Sequence, residues 1–88
     1  MTEDPRALIA EQCDEIKAML LEKNASYGNS ALEPLRIMSR ASAVEQILVR
    51  IDDKLARLSR GSEYAGEDTI RDLTGYFILL LIARKVGE

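Results

Sequence analysis

Histidine and tryptophan are absent from this 88-residue sequence, and cysteine occurs once. With no imidazole and a single thiol, a zinc site, histidine-based catalysis and a Cys–His nucleophile pair are all excluded. Any metal would have to be a hard ion held by carboxylates. Cys13 has no internal disulfide partner, and its place on an apolar helical stripe predicts a buried small hydrophobe. Long hydrophobic runs are missing too. The longest, "FILLLIA" from Phe77 to Ala83, falls far short of the ~20 residues that span a bilayer. The opening "MTEDPRAL" has neither the basic n-region nor the apolar h-region of a secretory signal, so a cytoplasmic protein is expected. A net charge of −3 argues against a nucleic acid duplex or a membrane surface as partner.

What is present is helical patterning. The length allows one domain, residues 1–88, of all-α class. Asp4 is an N-cap candidate with Pro5 at the first helical position, where its missing N–H costs nothing. Ile9, Cys13, Ile16 and Leu20 then form one stripe that fades at Lys23, giving a helix over about 5–23. Residues 24–41 read as a loop with a short helical turn around Pro34. "SAVE", from Ser42 to Glu45, fits the capping-box pattern and opens a helix over about 42–60. Its expected seam is Val44, Leu48, Ile51, Leu55 and Leu58, and Gly61 ends it. After the loop "SEYAG", Glu67 and Asp68 suit the first turn of a helix over about 67–86. Ile70, Leu73, Phe77 and Leu80 make its seam. From Phe77 to Ile82 this helix is apolar on every side, which a three-helix antiparallel unit cannot cover, so a homo-oligomer is expected.

Charged residues divide by face. Arg50, Lys54, Arg57 and Arg60 form a cationic stripe on the second helix, with Asp53 among them. On the third helix Asp68 and Asp72 lie one turn apart, with Tyr76 on the next turn. The simplest role for these groups is ion pairing across the helix pair, which stabilises little. The alternative is a phosphate site, with Arg50, Lys54 and Arg57 as its cations. Residues 23–35, "KNASYGNSALEPL", supply a possible second half of such a site. On a loop, Lys23 would close the pocket, Tyr27 would stack on a base, and backbone N–H groups near Gly28 would receive an anion.

Three segments taken together, "KNASYGNSAL", "RIDDKLARL" and "EDTIRDLTGYFILL", resemble small phage and bacterial proteins of the nucleotide modification associated group. Those proteins are similar to the MazG and all-alpha dUTPase class of nucleotide pyrophosphatases. The resemblance runs from about Lys23 to Leu80 and implies a MazG-like helical unit. It points to Tyr27, Gly28, Arg50, Asp53, Lys54, Arg57, Glu67, Asp68 and Asp72 as functional positions. MazG-type catalysis sets an E-x-x-E helix against an E-x-x-D helix to hold Mg²⁺. Here the second helix has no E-x-x-E; its Glu45 and Asp52 are about 10 Å apart along the axis, too far to share an ion.

The expected function is therefore non-catalytic binding of a nucleotide or cyclic oligonucleotide by Lys23, Tyr27, Gly28, Arg50, Lys54, Arg57, Asp68 and Asp72. By the resemblance, its setting would be phage anti-defence, sequestering a nucleotide immune signal in the host cytoplasm. One alternative is a Mg²⁺-dependent nucleotide pyrophosphatase with Asp53, Glu67, Asp68 and Asp72 holding the metal. Another is a helical protein–protein interaction module.

Overall fold

Asp4 starts the first helix in the way its position implies. Its Oδ1 accepts from the Arg6 N–H at 3.0 Å, and Pro5 occupies the first helical position. The computed structural model describes residues 4–61 and 68–87, which form three helices: α1 (Pro5–Tyr27), α2 (Ala43–Arg60) and α3 (Thr69–Lys85). Among these residues there is no strand, so the chain is all-α.

Helix α1 runs on past residue 23 to Tyr27. Gly28 stops it at φ +70°, with its N–H donating to the Asn24 carbonyl at 2.8 Å. The Asn24 amide donates to the Gly28 carbonyl at 3.2 Å and to Asn29 Oδ1 at 2.6 Å. These bonds hold the weak helix formers Asn24 and Ser26 in the last turn. Lys23 and Tyr27 therefore sit on a helix and not on a loop, four residues apart and on neighbouring positions of one face.

The connector differs from expectation as well. Its turn lies at 29–33, where the N–H groups of Leu32 and Glu33 both donate to the Asn29 carbonyl, at 2.9 and 2.7 Å. No helical turn forms around Pro34. Proline disfavours the helical region for Glu33, and Arg36 stands at φ +56°, outside any right-handed helix. The Arg36 Nε donates to the Ala41 carbonyl at 3.1 Å. Leu35, Ile37 and Met38 are all exposed.

Ser42 caps α2 by accepting the Glu45 N–H at 3.1 Å, and Gly61 closes it in the left-handed region at φ +65°. Asp68 is the N-cap of α3, accepting the Arg71 N–H at 3.0 Å, so the helix begins just after it. Glu67 lies outside the described residues.

Lys54, near the end of α2, pairs with Asp72, near the start of α3, which makes these helices an antiparallel hairpin. Ala43, Ile47 and Ile51 meet Leu73 and Ala83 in one buried cluster. The α2 seam is thus turned from the expected one: Leu48, Leu55 and Leu58 are exposed beside it. On α3, Thr69, Leu73 and Ala83 are buried, while Ile70 and Phe77 are exposed.

Helix α1 packs on α3 and not on α2. The expected three-helix antiparallel unit is therefore a hairpin with one helix laid on α3. The crossing is at Gly75. A Cβ there would come within 3.0 Å of Met19 Cε and 3.1 Å of Leu20 Cδ2, so the missing side chain is what lets α1 approach. Contact at the glycine is made by Met19 and Leu20, and only Ile16 on α1 is buried. The earlier turns extend beyond α3, which is why Ile9 is 64% exposed and Cys13 is exposed, not buried.

Candidate functional site

The crossing of α1 over α3 leaves a cavity of about 420 Å³ beside it. Its walls come from the last turns of α1, the turn that follows, one residue of α2 and the middle of α3. Met19, Leu20, Leu32, Gly75 and Leu79 make an apolar floor, and Tyr76 closes one side. Lys23, Asn24, Tyr27, Gly28, Asn29, Ser30, Arg50 and Asp72 supply the polar rim. Mostly apolar walls with a few placed polar groups are typical of small-molecule sites.

Five of the eight expected ligand-binding residues meet here: Lys23, Tyr27, Gly28, Arg50 and Asp72. They come from three helices, so neither end of the chain could form the site alone. Tyr27 is 76% exposed at the end of α1, with its ring free to meet a ligand. Gly28 contributes a positive-φ backbone position where even an added Cβ would meet open space.

The other three residues lie elsewhere. The Lys54 side chain is 15% exposed and its Nζ lies 3.2 Å from Asp72 Oδ2. Lys23 approaches the other oxygen of the same carboxylate at 3.6 Å. One carboxylate thus bridges α1, α2 and α3. Arg57 pairs with Asp53 on its own helix at 3.2 Å. Asp68 caps α3 and borders a second, more polar cleft of about 590 Å³, which it shares with Lys23, Tyr27, Arg71 and Asp72. Part of the cationic stripe is therefore ion-paired across the helix pair, as the simpler role requires.

Arg50 is different. It is exposed, lines the cavity, and has no acidic partner among the described residues. Charge on the rim is thus one uncommitted guanidinium, plus a Lys23 ammonium held loosely by an acid that already serves Lys54.

Among the described residues no three carboxylate or thiol groups gather as a metal-binding set. Asp53 faces Arg57, Asp68 caps a helix, and Asp72 is held by two lysines. These placements leave Asp53, Asp68 and Asp72 without a shared centre for Mg²⁺.

Asn24, Asn29, Leu32 and Leu79 also line the site, though the sequence pattern did not single them out. Asn24 carried a usable signal. It stands three residues before Tyr27 and four before Gly28, the spacing that lets an amide side chain reach a helix C-terminus. Leu32 carried none, and Leu79 belongs to the Phe77–Ile82 segment expected at a subunit contact, whereas it lines the cavity.

Comparison of the chain with protein-family models, with curated proteins and with solved structures gives no match.

Proposed function

We propose that this chain binds a nucleotide in the cavity between α1, the turn after it and the α2–α3 hairpin, and holds it without turnover. The observation that carries this reading is Arg50, a guanidinium with no acidic partner among the described residues, at the rim of an apolar cavity. A planar cation so placed suits bidentate contact with a phosphate, and Lys23 on the facing helix supplies a second charge. The apolar floor and Tyr27 suit a base. A cavity of about 420 Å³ is within the size range of small-molecule sites. Lys54 and Arg57 have structural pairings in this reading: Lys54 fixes Asp72, and Arg57 meets Asp53. The dispersal of Asp53, Asp68 and Asp72 supports binding without hydrolysis, since no metal-holding group of carboxylates forms among the described residues. Sequestration of a cyclic nucleotide immune signal on behalf of a phage is the biological part of the same proposal.

The test is titration calorimetry against nucleoside mono- and triphosphates and cyclic dinucleotides, with chromatography of the ligand afterwards. Heat from at least one compound, recovered intact with and without Mg²⁺, is expected. Silence across the panel would favour a protein–protein module, and Mg²⁺-dependent pyrophosphate release would favour the hydrolase.

Arg50→Ala should weaken binding by roughly tenfold to 150-fold, the loss of a charge-assisted contact, with helicity unchanged. Arg60→Ala, on the same helix but not on the rim, is the control. Equal affinities for the two variants would move the phosphate elsewhere.

Tyr27→Ala should lower affinity by about five-fold to a hundred-fold, because base stacking contributes 1–3 kcal/mol. Tyr27→Phe should retain most of it, since the ring face makes the contact. A tyrosine that merely packs would shift the melting temperature and leave affinity alone.

A further inference from the structure

The hairpin has two broad faces, and α1 covers only one. At 100° per residue, Arg50 and Arg57 lie on one flank of the α2 core stripe, and Leu48 and Leu55 on the other. On α3, Asp72, Gly75 and Leu79 lie on one flank of the core stripe, and Ile70, Phe77 and Leu81 on the other. In an antiparallel pair, matching flanks fall on the same side. The cavity agrees: Arg50 lines it together with Asp72, Gly75, Leu79 and the residues of α1. The opposite face of the hairpin is therefore Leu48, Leu55, Ile70, Phe77 and Leu81, all between 37% and 58% exposed.

We infer that a second copy of this chain packs on that face, apolar hairpin against apolar hairpin about a twofold axis. The area supports this. The isolated chain exposes 6822 Å², whereas a compact chain of its mass would expose about 5200 Å². The excess is about twice the ~800 Å² that each partner buries in an interface of ordinary size, and the exposed early turns of α1 and residues 35–38 account for part of it. The need is also permanent. Six apolar residues form the buried core among the described residues, too few for a small domain to rely on. A complement required whenever the chain folds must be supplied in equal amount, and the chain itself meets that condition. A twofold contact uses the same patch on both sides, so the only requirement is a patch that is apolar and self-complementary. The cavity, on the other side of the hairpin, remains open in such a dimer.

Light scattering and sedimentation on the whole chain should give twice the 9.8 kDa chain mass at micromolar concentration. Phe77→Glu and Leu55→Glu should each return it to the single-chain mass, while Val49→Glu, exposed but on another side of α2, should not. Because a charged variant can fail to fold, a milder measurement accompanies it. In a Cys13→Ser background, Leu55→Cys should react with a bulky maleimide roughly tenfold or more slowly than Val49→Cys. A parent mass of 9.8 kDa overturns the inference. So does equal labelling of the two cysteines, or an assembly that survives both glutamate variants in folded form.

Discussion

Ile47→Ala is expected to cost roughly 2–5 kcal/mol, a large share of the ~4–13 kcal/mol that a chain of this size holds. Ile47 is 1% exposed and sits centrally in the cluster that joins α2 to α3, between Ala43 and Ile51. Its small neighbours, Ala43 and Ala83, have no atoms to move into the space left behind. Each kcal/mol corresponds to about 4–8 °C in a domain of this length, so the midpoint should fall by at least about 8 °C. Val49→Ala, two residues away and 65% exposed, should change stability by no more than about 0.5 kcal/mol. Thermal melts of both variants, followed by circular dichroism, decide the matter. Equal midpoints would mean that α2 presents another face to α3.

The second large effect belongs to Gly75→Leu. Helix α1 is held to the rest of the protein mainly where Met19 and Leu20 cross that glycine. An alanine there would need its neighbours to yield by a few tenths of an ångström, against a gain of about 1 kcal/mol in helix propensity over glycine. Gly75→Ala should accordingly be close to neutral. Leucine would place three further carbons inside the space of Met19 and Leu20, and relief would come by moving α1 away. The cavity would then lose Lys23 and Tyr27 together, so affinity should fall by roughly a hundredfold or more while the hairpin stays folded. Hydrogen exchange should show faster amides in the second half of α1 and unchanged amides in α2. If Gly75→Leu binds as the parent does, with α1 still protected, the crossing does not build the site.

Helix existence and caps were legible in the sequence because their chemistry is local. Asp4–Pro5, Ser42 as the N-cap of α2, and Gly61 each do what their residue types require. The end of α1 was legible only through the spacing of Asn24 to Gly28. Asn24, Ala25 and Ser26 look like the start of a loop, and only the bonds from Asn24 to Gly28 and Asn29 keep them helical. The observed α2 seam lies one flank away from the expected one. Its apolar arc runs from Ala43 and Ile47 through Ile51 to Leu48 and Leu55, wider than one contact needs. Periodicity cannot say which half faces the core, because both halves repeat with the same spacing. Cys13 departs from its expected burial for a related reason. Its stripe is genuine, but α3 lies only under the later part of it. Within the site, the convergence of Lys23, Tyr27, Gly28, Arg50 and Asp72 follows residue types that stand out singly. The diversion of Lys54 to Asp72 could not be read, since it depends on the angle between two helices.

The confinement of α1 to a single crossing also has a kinetic consequence. Helices α2 and α3 are close in sequence and share a core, so their pairing closes a short loop and is fast. Helix α1 must bring residues 16–23 back across the connector to meet α3, a longer closure with less to gain, and so it docks last. The cavity exists only after that step. A ligand that touches both Tyr27 and Arg50 would therefore retard the release of α1 and leave the rate at which the hairpin forms unaltered. Occupancy would be read in the unfolding arm of a chevron, with the folding arm unmoved.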